Sequence, residues 1–174
     1  MLRTAGTKGP SLEYITSNYI GGSSQTVFNF NGISIGTPSA DRTLLIVLYS
    51  QYVLDTTATS TLTVDGVSAT KTISVTDNYG RTTMLMVEIY AITVASGTTA
   101  NIQATFSSSR IFCGLSVYAA TGLVSNTPQS TASSILTTSP QSVAVTGTTG
   151  GVVIAGTMMR ADDGAVSWLS LIHI

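Results

Sequence analysis

The residues of this chain able to do acid–base, nucleophilic or metal chemistry are eight carboxylates, one histidine and one cysteine. Paired carboxylates run glycoside hydrolysis, one as acid and the other as base or nucleophile, so each acid is weighed in turn. Asp65 belongs to an Asp-Gly turn, and Asp41 to a loop that enters a strand. Asp55 and Asp77 stand in loops beside Thr and Asn, where carboxylates bond the local backbone. Glu88 differs because it interrupts the apolar run Val87-Glu88-Ile89. The expectation for it is a strand carboxylate paired with Arg42, Arg81 or Arg110. Arg160-Ala161-Asp162-Asp163-Gly164 lacks the spaced acids of a calcium loop and reads as a solvated turn. A single cysteine makes neither a disulfide within the chain nor a cysteine zinc site. Cys113 lies in Ile111-Phe112-Cys113-Gly114-Leu115 and is expected to be a buried thiol. No glycine pattern cradles a phosphate. The sequence therefore predicts no catalytic residue, no metal and no cofactor.

Binding is a different matter. Tyr49 and Tyr52 close an apolar strand, and Tyr79 stands in the loop Asp77-Asn78-Tyr79-Gly80-Arg81. Aromatic faces with amide, carboxylate and guanidinium groups nearby are what sugar-binding surfaces use. Asp77, Asn78, Tyr79 and Arg81 are thus the candidate ligand-binding residues, weighed against the plainer role of anchoring their loop.

The composition narrows the partners. The 174 residues include 7 Lys and Arg against 8 Asp and Glu, and only 9% are charged, while Thr and Ser together number 52. An average soluble domain carries about 25% charge. Seven scattered cations cannot displace the counterions of a nucleic acid, which excludes generic nucleic-acid binding. Charge-driven disorder is excluded too, because 43% of residues are hydrophobic. Thr, Ser, Val and Gly in place of Ala, Glu, Lys and Leu argue against helical bundles. No apolar run approaches the length of a membrane-spanning helix.

The elements that must position these residues read as strands. Thr26-Val27-Phe28-Asn29-Phe30 alternates and meets an Asn31-Gly32 turn signal. Arg42 to Tyr52 becomes continuously apolar, as a strand covered on both faces does. Asp65-Gly66 between Thr61–Val64 and Val67–Thr70 predicts a two-residue type I′ hairpin. Thr83 to Val94 has two apolar faces. The face holding Met84, Met86, Tyr90 and Ile92 is expected to meet a neighbouring subunit. Strands follow at 100–106 and 111–119, then a polar loop from Gly122 to Ser139, and a last pair at 141–145 and 152–158. No helical period exceeds two turns. The predicted fold is all-β: an antiparallel two-sheet β-sandwich, jelly-roll-like, missing its last strands.

The predicted organisation is an N-terminal segment over 1–24 with an edge strand, a single sandwich domain over 25–168, and a tail. That tail, Leu169-Ser170-Leu171-Ile172-His173-Ile174, resembles the in-frame translation of a transposase sequencing adaptor, which would remove His173 from the native chemistry. The first ten residues hold two cations but no apolar stretch after them, unlike a secretory signal. A hydroxyl-rich surface without an export route fits a protein assembled in the cytoplasm and released by lysis.

Phe28-Asn29-Phe30-Asn31-Gly32-Ile33-Ser34-Ile35-Gly36 followed by Asp41-Arg42 resembles a β-sandwich module of tailed-bacteriophage virion proteins. So do Leu62-Thr63-Val64-Asp65-Gly66-Val67-Ser68-Ala69-Thr70, Phe112-Cys113-Gly114 and Gly150-Gly151-Val152-Val153-Ile154-Ala155. The likeness covers roughly residues 12–160 and rests on strand-and-turn patterning. It implies a non-enzymatic tail, fibre or decoration protein located in the virion. Its partners would be other virion subunits, including copies of itself, and host-surface glycans. The alternatives are a bacterial carbohydrate-binding or adhesin-type sandwich and, behind it, a glycan-cleaving enzyme.

Overall fold

The computed structural model describes residues 9–53, 59–77, 83–135, 142–147 and 151–158. Among them every regular element is a strand: β1 (Ser11–Ser34), β2 (Thr43–Val53), β3 (Ser60–Val64), β4 (Val67–Ser68), β5 (Thr70–Asp77), β6 (Thr83–Thr93) and β7 (Thr99–Thr121). All pairings are antiparallel, in the order β4-β3-β7-β2-β6-β5 with β1 also on β7, and the sheet is nearly closed on itself. The all-β antiparallel class thus holds, and hydrogen bonds join the strands into one continuous sheet through β7.

That continuity comes from two long strands that the sequence divides. Gly21-Gly22 and Asn31-Gly32 read as breaks, yet both are irregularities inside β1, with register shifts between Gly21 and Gln25 and between Phe30 and Ile33. Gly22 and Gly32 take positive φ of 98° and 64°, so each glycine bends the strand without ending it. β1 therefore continues across residue 24. The segments expected at 100–106 and 111–119 are likewise one strand, β7. Its first half pairs with the end of β1 and with β3, and its second half pairs with the start of β1 and with β2.

The Asp65-Gly66 hairpin forms as expected, with φ of 48° and 80° at its two turn residues and Val64 opposite Val67. Asp65 also accepts a hydrogen bond from the Asn101 amide at 2.8 Å, pinning the hairpin to β7.

The inner face of the sheet holds the main core. Phe28, Phe30, Ile33, Leu44, Ile46, Leu48, Leu62, Ile102, Phe106, Leu115 and Val117 meet there. Met84, Met86, Tyr90 and Ile92 belong to the same core, with exposures between 1% and 7%. This corrects their expected role: they pack against the chain's own strands and present nothing to another subunit. The rolled sheet itself supplies the cover that two apolar faces on β6 demand.

On the outer face, Val47, Val87 and Ile89 are covered by Ile154 and Met158. Leu45, Ala91 and Ala120 are covered by Leu12, Leu123, Val152 and Ile154. The last predicted strand pair is corrected here. Residues 142–147 and 151–158 carry no strand pairing, and the second stretch lies as an irregular apolar strap over β2 and β6. Gly156 makes its close approach feasible, since a Cβ there would fall 2.4 Å from Val47. No helix among the described residues is long and apolar enough to cross a membrane.

Two polar side chains tie the loops to this frame. Arg42 is fully buried and donates to five carbonyls: Val94 at 2.8 Å, Ile35 at 3.2 Å, Gly36 at 2.8 Å, Ser96 at 2.7 Å and Gly97 at 3.0 Å. Asp41 accepts from the Ser39 hydroxyl and from the Gly122 amide, and these bonds hold its carboxyl below the ordinary carboxylate range.

Candidate functional site

Of the loop residues expected to bind a ligand, Asp77 ends β5, while Asn78, Tyr79 and Arg81 lie outside the described residues. Asp55, Asp162, Asp163 and His173 also lie outside them. Two other groupings are built from described side chains, one inside the sheet and one outside.

The inner grouping is the surrounding of Glu88, which is 1% exposed. Its partner is a correction to the expectation of an arginine. Lys71 of β5, opposite Tyr90 in the β5–β6 register, places its Nζ 2.7 Å from Glu88 Oε1. Ser74 donates to Oε1 at 3.0 Å, and the Tyr90 hydroxyl reaches Oε2 at 3.2 Å. Ser60 of β3 donates to Oε2 and itself accepts from Lys71 at 2.8 Å, with the Tyr90 hydroxyl 2.7 Å away. Burial, reinforced by the Glu88 charge, pushes the Tyr90 phenol well above its ordinary range. The serine and lysine stand in reach of each other, as in a nucleophile–base pair. Here, however, the Lys71 ammonium is a donor to both Ser60 and Glu88, with no lone pair turned to the hydroxyl. The geometry serves adhesion. β5 ends the strand order and β3 stands next to its other end, β4; β3 and β5 are not paired with each other, and this cluster links them. Sequence reasoning missed Lys71 because pairing Glu88 with it requires the β5–β6 register and the closure of the sheet.

Arg42, one expected partner, is occupied by its carbonyls. Arg110, another, is buried with its guanidinium 4.7 Å from the Phe106 ring centroid and its Nη1 2.9 Å from Ser108. Among the described residues no group of three or more His, Cys, Asp or Glu could hold a metal.

The outer grouping is aromatic. Along β7 the residues Phe112, Gly114, Ser116 and Tyr118 alternate outward, opposite the buried Cys113, Leu115 and Val117. The register sets their neighbours. Tyr118 lies between Tyr14 and Leu45, Ser116 between Ser17 and Val47, Gly114 between Tyr19 and Tyr49, and Phe112 between Gly21 and Gln51. Three rings meet on β1, β7 and β2, Tyr19 and Tyr49 at the level of Gly114 and Phe112 two residues along β7. Tyr19 and Phe112 have centroids 5.8 Å apart and planes 26° apart, and Phe112 and Tyr49 are 6.0 Å and 25° apart. Glycine gives the rings room: a Cβ on Gly114 would fall 2.2 Å from Tyr49 Cε2, and one on Gly21 3.4 Å from Phe112 Cδ2. Tyr49 thus lies over Gly114 and Phe112 leans towards Gly21. Tyr14 and Tyr118 make an edge-to-face pair at 5.5 Å, one step along, beyond Ser17 and Ser116.

This face is open where it nears the free side of β1, with Tyr19 70% exposed and Tyr14 55%. Tyr49 and Tyr118 pack against the same cluster of Val47, Val87 and Ile89 that the strap covers. Of this grouping, Tyr49 was among the aromatic residues that the sequence reading singled out, with Tyr52 and Tyr79. The others needed the cross-strand register, because Tyr19, Tyr49 and Phe112 are distant in sequence. The spacing of Gly21 and Gly114 was the available signal, since glycine inside a strand marks a close approach.

No family model matches the chain, and no curated protein or solved structure is significantly similar to it.

Proposed function

We propose that the chain is a non-enzymatic structural module of a tailed-phage virion, a tail, fibre or decoration component, which contacts surface glycans through its outer aromatic face. The observation that carries the glycan contact is the cluster of Tyr19, Phe112 and Tyr49. Its ring planes lie within about 26° of one another from neighbour to neighbour, and hydroxyl side chains stand alongside. Sugars present flat C–H faces that such rings stack against, and hydroxyl groups that Ser and Gln bond. The virion assignment rests on the resemblance in strand-and-turn patterning and on a surface made polar by hydroxyls in place of charge.

The same reading takes the rolled sheet as a two-layer sandwich of jelly-roll type. Its support is nested pairing, β1 with β7 and β2 with β6, as in a long hairpin wrapped upon itself. The bent strands β1 and β7 then serve both layers, with the main core between them.

The test is a glycan array probed with the full chain and with a Tyr19→Ala, Phe112→Ala double variant. Retention on sugar spots by the parent and its loss in a variant with unchanged circular dichroism is the expected result. Binding that the double variant retains removes the aromatic face from the function.

A further inference from the structure

Asn31-Gly32 lies at the irregularity of β1 between Phe30 and Ile33, where Gly32 takes a φ of 64° and both residues are exposed. We infer that this pair is a site of spontaneous modification, in which Asn31 becomes aspartate or isoaspartate through a cyclic imide, and that Asn101 restrains the reaction in the folded chain.

The chemistry needs only these two residues and water. The Gly32 nitrogen gives up its proton and attacks Asn31 Cγ. The new N–C bond closes the imide as the side-chain nitrogen leaves, with that proton, as ammonia. Water then opens the ring at either carbonyl, which yields aspartate or an isoaspartate whose main chain runs through the side-chain methylene. Glycine suits the attack because no side chain shields its nitrogen. The exposure of both residues admits the water.

The restraint is a set of bonds converging on Asn101. The Gly32 N–H donates to Asn101 Oδ1 at 3.0 Å. A nitrogen whose proton is held by an oxygen acceptor neither ionises readily nor turns freely towards Asn31 Cγ. Asn101 is in turn fixed by the Asp65 hairpin. Its amide donates to Asp65 Oδ1 at 2.8 Å, and its carbonyl accepts from the Asp65 amide at 2.8 Å. Three segments distant in sequence thus meet at one residue of β7. The reaction waits on local opening of the Gly32–Asn101 bond, which does not require the whole sheet to unfold.

Conversion would act on the sheet. Phe30 and Ile33, on either side, are 2% and 6% exposed and pair with Ile102 and Ala100. Isoaspartate inserts a methylene into the main chain between these two core residues. Either product adds a negative charge to a strand whose only other charge is Glu13.

The experiment incubates the full chain at mildly alkaline pH, folded and in urea, and follows intact mass and peptide maps that separate isoaspartate from aspartate. The expected result is a mass gain of one water less one ammonia, located at residue 31, about tenfold or more slower in the folded parent than in the unfolded chain. Asn101→Ala keeps the main-chain bonds to Asp65 and removes Oδ1. The folded variant should therefore convert about two- to tenfold faster than the folded parent, as loss of one hydrogen bond allows. If that variant does not fold, the folded and unfolded parent decide the matter alone. Equal rates in the folded and unfolded parent, or in the folded parent and folded Asn101→Ala, overturn the inference. So does conversion confined to other asparagines, or an unfolded chain that never converts.

Discussion

The Lys71 ammonium of β5 sits 2.7 Å from Glu88 Oε1 and, with the same group, 2.8 Å from Ser60 Oγ of β3. One side chain thus links β5 with β3, two strands that are not paired with each other in the sheet. Glu88 is buried among Lys71, Ser60, Ser74 and Tyr90, so the carboxylate's lost hydration is replaced by donors from three strands.

Removing the carboxylate should therefore open the seam. Glu88→Ala leaves Ser60, Ser74 and Tyr90 without their shared acceptor while the part-exposed Lys71 can turn to water, a loss expected at about 1–3 kcal/mol. Glu88→Gln keeps an oxygen acceptor and should cost less. Urea titration of the three proteins checks the order. Equal stability of Glu88→Ala and the parent would show that the cluster does not hold the strands.

Arg42 offers a second test. Its five bonds to carbonyls of residues 35–36 and 94–97 use the whole planar fork of the guanidinium. Lysine has three donors on a single atom and cannot satisfy carbonyls on both sides at once. Arg42→Lys is expected to destabilise by about 2–4 kcal/mol, from several charge-assisted bonds lost in a buried place. Thermal unfolding measures this, and a change under about 0.5 kcal/mol, the range of ordinary surface substitutions, would contradict it.

How much of this was legible in the sequence depends on distance along the chain. The Asp65-Gly66 hairpin and the doubly apolar β2 and β6 are written in local pattern, so they could be read directly. The long strands β1 and β7 could not, because Gly22 and Gly32 look alike whether they end a strand or bend it. The same limit explains Met84, Met86, Tyr90 and Ile92. An apolar face on a strand needs cover, but pattern does not say whether the cover is another chain or the far side of the same sheet. Glu88 could be marked as anomalous from Val87-Glu88-Ile89 alone. Its partner Lys71 and the cluster of Tyr19, Phe112 and Tyr49 exist only through register, which no single segment encodes.

Cys113 gives a prediction in pH. Burial in the main core pushes its thiol up to about 12 from an ordinary value of 9.0, with nearby Glu88 adding to the rise and Arg110 opposing it. The native thiol should therefore stay unreactive to a disulfide reagent at neutral pH and react at the rate of unfolding. A raised pKa in the folded state means that the unfolded chain loses its proton first as pH rises. The contribution is fully present below pH 9 and is lost progressively between pH 9 and about 12. Comparing alkaline urea curves of the parent with Cys113→Ala isolates it, since the variant lacks that group. The parent should lose stability faster than the variant across that window. Parallel loss in the two proteins would refute the assignment.

The last prediction concerns Gly114 and Tyr49, which face each other across β7 and β2. A methyl group at 114 would stand 2.2 Å from Tyr49 Cε2 and 2.8 Å from its Cζ, with no smaller neighbour to yield first. Gly114→Ala must then lift the Tyr49 ring from the sheet, at an expected cost of about 1–3 kcal/mol for overpacking. Strand glycine alone would predict the opposite sign, because alanine restricts the unfolded chain and favours extended backbone. The two effects separate in a double-mutant cycle. With Tyr49→Ala in place, Gly114→Ala should be neutral or slightly stabilising, so the coupling between the sites is about 1–3 kcal/mol, nearly the whole cost of the single change. Additive costs in urea denaturation would mean that the ring does not rest on Gly114. The cluster of Tyr19, Phe112 and Tyr49 would then lose the seat on which the proposed glycan contact depends.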